Sequence, residues 1–246
     1  MRASIATQLL EINRRFYGDF AEEYSRSRQV LQPGIPRALA ALGAFESLLD
    51  LGCGDGRVGW AIAEGLLERR VERYVGVDLS PALLNQRGAP PGDGLGSWQG
   101  LVADITETGW EDKLRLSPGC FDATCCFSAL HHIPGAGQRE ELLRRILALV
   151  RPGGHMALSV WQLSHHERFR RKIRAWSEAG MAATDVEPGD ILVDWQRGGT
   201  GLRYVHEFSE SELLALGEAA GWEQVDSYRS DGESADLGLY AVFRRL

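Results

Sequence analysis

Short apolar runs recur at 47–51, 73–77, 100–103, 121–127 and 155–161, and each reads as a β-strand. Between them lie segments whose apolar positions repeat every three to four residues, at 58–67, after Ser80-Pro81, and at 138–150. That repeat marks the covered face of a helix, and Ser80 ahead of Pro81 is a helix-start signal. Strand and helix in alternation predict an α/β fold, a parallel sheet with helices on both faces. Two last strands, about 223–228 and 237–243, are separated by only a short polar turn, which suits an antiparallel hairpin. With them the sheet has seven strands in a Rossmann-like arrangement. Residues 5–45 read as two or three helices carrying Phe16, Tyr17, Phe20 and Tyr24.

The rhythm breaks after 161. Residues 162–208 hold a basic segment expected to be helical, an acidic patch (Asp185, Glu187, Asp190, Asp194) and the turn Gly198-Gly199-Thr200-Gly201. A connection this long within a domain is usually functional. Ser209 and Glu212 then form a capping-box signature for a helix over 212–220. The Gly- and Pro-rich stretch 87–100 reads as a loop, and Arg151-Pro152-Gly153-Gly154 as a tight turn into the fifth strand. The whole, 1–246, is expected to be one domain: a helical cap (1–45), a core (46–161), the insertion (162–208), and a closing helix and hairpin (209–246).

The net charge of −7 disfavours a general nucleic-acid binder, although Arg168, Arg170, Arg171, Lys172 and Arg174 concentrate basic charge locally. Four cysteines show no C-x-x-C spacing, and neither they nor His165-His166 gather a metal-ligand set. No apolar run approaches the roughly 20 residues of a membrane span, and the first residues lack a signal-like apolar block, so a cytoplasmic protein is expected.

Candidate chemistry centres on Asp50-Leu51-Gly52-Cys53-Gly54-Asp55-Gly56-Arg57. Glycines let a ligand lie against the loop backbone, and the following helix points free N–H groups at it. Gly54-Asp55-Gly56-Arg57-Val58-Gly59 matches the dinucleotide pattern G-x-G-x-x-G, with Asp78 as the ribose acid. Asp50 and Asp55, however, would repel a pyrophosphate. S-adenosylmethionine carries an ammonium and a sulfonium and no phosphate, and here the acids help. Asp50 would serve the cationic methionine portion, Asp78 the ribose hydroxyls and Asp104 the adenine amino group. All three close consecutive strands, where open α/β sheets bind ligands. The expected cofactor contacts are Asp50, Gly52, Cys53, Gly54, Gly56, Arg57, Asp78, Leu79, Asp104, Ile105 and Phe127.

These motifs, with Tyr74-Val75-Gly76-Val77-Asp78-Leu79-Ser80, Leu101-Val102-Ala103-Asp104 and Leu149-Val150-Arg151-Pro152-Gly153-Gly154, resemble those of the class I S-adenosylmethionine-dependent methyltransferases. More variable segments resemble a narrower family, the tRNA wobble-uridine carboxymethyl methyltransferases. They are Phe16-Tyr17 through Arg28, Ala129-Leu130-His131-His132, Gly189-Asp190 to Trp195, and Arg203-Tyr204-Val205-His206-Glu207-Phe208. Departures are Asp194 in place of a proline, the stretch 90–100 and the acidic charge. The resemblance implies a tRNA acceptor, a small activator protein as partner, and Arg28, His131, Asp190 and His206 around the substrate. His132, beside His131 at the end of a strand, is a further substrate contact or base. A carboxylate acceptor is already ionised at pH 7, so it needs a cation such as Arg28 and no base. A small-molecule O- or N-methyltransferase, or a non-catalytic cofactor-binding subunit, would share the same loop.

Overall fold

The computed structural model describes residues 1–28, 30–68, 70–114 and 119–246. Its strands are β1 (Ser47–Leu51), β2 (Arg73–Asp78), β3 (Trp98–Val102), β4 (Phe121–Phe127), β5 (Val150–Trp161), β6 (Ile173–Arg174), β7 (Asp190–Trp195), β8 (Gly201–His206), β9 (Trp222–Ser230) and β10 (Gly238–Arg245). The main sheet runs β3-β2-β1-β4-β5-β10-β9. Its first five strands pair in parallel, and β10 is antiparallel to both β5 and β9. This is the mixed seven-stranded sheet expected from the sequence.

Side-chain alternation divides the apolar residues between two cores. Along β10, Leu239, Ala241 and Phe243 enter one core while Tyr240 and Val242 enter the other. Helix α3 (Gly34–Ala41) supplies Ile35, Ala38 and Leu39 to the second core, and α4 (Arg57–Ala63) supplies Val58 and Ile62. The first is closed by Leu142, Leu143 and Ile146 of α6 (Ala136–Leu149) and Leu213 of α8 (Glu210–Ala219). Burial on both faces explains why the strands read as continuous apolar runs. Helices α1 (Ala3–Asp19) and α2 (Ala21–Arg26) cap the sheet, and α5 (Pro81–Leu84) and α7 (Glu167–Arg170) are single turns. Ser80 caps α5 by accepting the Leu83 N–H at 3.2 Å. Among the described residues no helix is long and apolar enough to cross a membrane.

Several boundaries differ from expectation. Helix α4 stops at Ala63 because Gly65 takes φ +94°, a left-handed exit that other residues resist. Residues 151–154 do not precede the fifth strand but lie within β5. Phe121 pairs with Val150 and Ala123 with His155, so five steps on β5 face two on β4 and the glycines absorb the difference as a bulge. Strand β3 begins at Trp98, whose ring stacks on Tyr74 at 4.7 Å. In α8 only half of the capping box forms. Ser209 accepts the Glu212 N–H, and the Glu212 carboxylate turns instead to His206.

The insertion departs most. Its basic segment forms only the four-residue α7, and the rest folds as a second sheet, β6-β7-β8, antiparallel throughout. That sheet packs under the N-terminal cap. Phe16 and Tyr24 meet Trp195, while Ile5 and Leu9 meet Tyr204.

Candidate active site

The β1–α4 loop forms the floor of a cleft at the carboxyl ends of the parallel strands. Gly52 and Gly54 have φ of +68° and +60°, a region open to glycine at no steric cost. A Cβ on Gly52 would lie 2.4 Å from that of Ala129, whereas one on Gly54 would meet nothing nearer than the Arg57 guanidinium at 3.9 Å. The floor is therefore packed from below at Gly52 and open above Gly54. Gly52 and Cys53 donate their N–H groups to the Val77 carbonyl at 2.8 and 3.1 Å, which ties the loop to the end of β2.

Three carboxylates follow at the strand ends. Asp78 accepts the Gly54 and Ser80 N–H groups, each at 2.8 Å, and burial raises its pKa. Burial likewise pushes the Asp50 carboxyl up to about 6, against hydrogen bonds from Tyr74 and Cys125 that favour the anion. At Asp104 burial is outweighed by Arg14 and Thr106, so its pKa is lowered. Asp55 behaves otherwise. It is buried, ion-paired to Arg87 (2.9 Å) and Arg57 (3.3 Å), and accepts the Ser25 hydroxyl at 2.7 Å, so it fastens α2 to the loop.

The cleft is open to solvent at its mouth and is lined by residues of the helical cap, the β1–α4 loop and the strand ends. Of the residues expected to hold cofactor, Asp50, Gly52, Cys53, Gly54, Arg57, Asp78, Leu79, Asp104, Ile105 and Phe127 line it. Gly56 does not. It is the N-cap of α4 at φ +76°, and a Cβ there would strike the Trp98 ring at 2.3 Å. Asn13, Arg14, Tyr17 and Tyr24 of the cap also line the cleft. Nothing in their spacing separates them from ordinary helix positions. An open glycine floor beside three carboxylates suits a cationic adenosyl ligand and would repel a pyrophosphate.

The residues expected around the acceptor fall into two groups. His132 lines the cleft, bound through Nδ1 to the Tyr204 carbonyl (2.9 Å) and through Nε2 to the Tyr17 hydroxyl (2.7 Å). Burial pushes it down to about 3. His131 is fully buried, with neither ring nitrogen partnered among the described residues, and burial then its charged neighbours hold it well below the ordinary histidine value. It packs on Trp161 at 4.5 Å. Arg28 lies over Tyr24 (4.7 Å) and Trp161 (5.7 Å).

Beside them stands Arg203 of β8, which the sequence reading did not single out. Its guanidinium is enclosed by Phe16, Trp161 and Trp195 at 4.7 to 5.1 Å. It faces Tyr17, and Nε and Nη1 have no hydrogen-bond partner among the described residues. Neither Arg28 nor Arg203 has a carboxylate within ion-pair distance among the described residues. An arginine inside an alternating apolar run, Leu202-Arg203-Tyr204-Val205, was the available signal.

Arg28, His131 and Arg203 are not among the residues that line the cleft, and Asp190 and His206 form a second group that also lies outside the lining. Asp190 accepts from Tyr204 (2.8 Å) and from the Glu187 N–H (2.8 Å) and bonds His206 Nδ1 (2.7 Å), while His206 Nε2 meets Glu212 at 2.7 Å. Glu187, Asp190 and His206 bring three potential metal-ligand atoms within 4.8 Å. Buried Arg139 occupies the same network, 3.0 Å from Glu187.

The methyltransferase-domain family model matches residues 23–227. A protein of Encephalitozoon cuniculi named for methyltransferase activity is 28% identical over 232 residues, 94% of each chain. The tRNA (carboxymethyluridine(34)-5-O)-methyltransferase of Mus musculus is 27% identical over 151 residues, 60% of this chain but 19% of that protein. Among solved structures, the Burkholderia thailandensis 1,6-didemethyltoxoflavin-N1-methyltransferase, with its substrate and S-adenosylhomocysteine bound, shares the fold. It superposes with a TM-score of 0.60 at 22% identity, over 100% of this chain and 91% of that one.

Proposed function

This chain belongs to the methyltransferase-domain family and is an S-adenosylmethionine-dependent methyltransferase; from that premise we propose that its acceptor carries a carboxylate, with a carboxymethylated wobble uridine of tRNA as the best fit. The observation that carries the reading is buried Arg203, with two guanidinium nitrogens unpartnered and no carboxylate in reach. A buried, unpaired cation is costly, and a carboxylate from a ligand would offset its charge. Arg28 shares the Trp161 ring and adds a second cation.

S-adenosylmethionine supplies an activated methyl group on a sulfonium. Asp50, Asp78 and Asp104 would hold it, with the Gly52–Gly54 floor beneath. The chain's own task is then to orient a nucleophile in line. A carboxylate is already ionised, so no base is required. The histidines agree with that: His132 already makes a hydrogen bond through each nitrogen, and His131 is kept neutral with a ring N–H to donate. Asp190 and His206 would act through the framework, since they pair across β7 and β8 and so fix the strand bearing Arg203. The activator protein implied by the wobble-enzyme resemblance remains part of this reading. Adding such a subunit would raise activity on tRNA.

The test is methyl transfer from labelled cofactor to total tRNA and to a panel of small carboxylic acids. Label in an alkali-labile ester is expected. Label in amines or hydroxyls, with Arg203→Met as active as the native protein, would overturn it. The small-molecule reading draws support from the acidic net charge, and label confined to the acid panel would favour it.

A further inference from the structure

Ser128, the residue after β4, holds a conformation that serine resists. Its φ is +57°, and the other non-glycine residues with positive φ among the described residues, Asp231 and Ala235, lie in the turn between β9 and β10. Glycine would fit this position without strain. Retention of a side chain in a strained backbone at a cleft is a mark of function.

We propose that the Ser128 hydroxyl holds the acceptor carboxylate, at the point where the arginine pair meets the cofactor cleft; this rests on the carboxylate reading above. Trp161 makes the connection. Its ring carries Arg203 at 5.0 Å and Arg28 at 5.7 Å, and its Nε1–H donates to Ser128 Oγ at 3.1 Å. Ser128 and His132 line the cleft, and both touch this indole. His132 is spent, one nitrogen on the Tyr204 carbonyl and the other on Tyr17. The Ser128 N–H is spent too, donating to the Ser159 carbonyl (2.9 Å) and hydroxyl (3.2 Å). With Oγ accepting from Trp161, the hydroxyl proton finds no acceptor among the described residues and is left for a ligand.

In the reaction a carboxylate oxygen bonds to the methyl carbon. The methyl–sulfur bond breaks with its electron pair left on sulfur, and the Ser128 proton stays on serine. Ser128 would steady the other carboxylate oxygen, and Arg203 would offset its charge.

Strain and hydrogen bond are separated by comparing Ser128→Gly with Ser128→Ala. Ser128→Gly is expected to raise Tm by about 2–4 °C, the shift from relief of one strained residue in a chain of this size. Its S-adenosylhomocysteine affinity should match the native protein. Binding of 5-carboxymethyluridine to the S-adenosylhomocysteine-saturated protein should weaken about ten-fold in both variants, with a smaller loss for the neutral carbamoylmethyl analogue, whose amide oxygen is the weaker acceptor. If Ser128→Gly binds the acid as the native protein does while Arg203→Met does not, Ser128 has been misassigned and the carboxylate reading stands. If the native protein prefers neither acid nor analogue and Arg203→Met changes nothing, the reading beneath fails and Ser128 falls with it.

Discussion

Asp50→Asn separates what the first acid does for stability from what it does for the cofactor. In the folded protein burial holds the Asp50 carboxyl at about 6, against an ordinary value of 3.8. The folded state therefore binds the extra proton between those values. Stability falls as pH rises through that window, and above it the ionised, buried carboxylate costs about 3 kcal/mol. Asparagine cannot ionise, yet its carbonyl oxygen can still accept the Tyr74 hydroxyl. His131 and His132 have lowered pKa values and destabilise the fold in acid, the opposite trend. They do so in both proteins, so the comparison of variant with native removes them.

The gain of Asp50→Asn over native protein should grow by about 2 kcal/mol from pH 4.5 to pH 7.5. By calorimetric melting that is a relative rise in Tm of about 4–8 °C for a chain of this size. S-adenosylmethionine affinity should move the other way, falling at least ten-fold at pH 7.5 because a carboxylate facing a cationic ligand is gone. Native affinity should itself decline as pH drops below about 6, since binding must then displace the proton. A Tm difference that does not vary with pH, together with unchanged affinity, would refute the reasoning.

Gly54→Ala meets open space but must hold φ +60°, so it should lose only about 1 kcal/mol in urea melts while blocking S-adenosylhomocysteine in calorimetry. Gly52→Ala adds a clash with Ala129, and should lose both stability and cofactor. Asp190→Asn turns a donor toward the Glu187 N–H, which should cost about 1–3 kcal/mol and expose 162–208 to protease, with S-adenosylhomocysteine affinity unchanged. His132 is held at about 3, so the unfolded chain takes up its proton first as pH falls. Stability of the native protein relative to His132→Gln should then drop by about 2 kcal/mol from pH 7 to pH 5 in denaturant titrations.

The main sheet and the cofactor floor were legible because their signals are local. Strands covered on both faces show as apolar runs, and each acid stands at the end of its own run. The second sheet was not legible, for a reason visible in its pairing. β7 and β8 bury Asp190, Asp194, Arg203 and His206, so each strand looks half polar, and only the register shows how most of these groups are satisfied. Asp190 lies opposite His206 and bonds it, and Asp194 is taken by Arg174 and Gln196. Both acids of β7 are thereby used. Arg203 lies opposite Val193 and has none, although it is as buried as they are. A sheet that neutralises its other buried charges and leaves one arginine between three aromatic rings, beside a methyl-donor cleft, is arranged for an anion that arrives with the substrate.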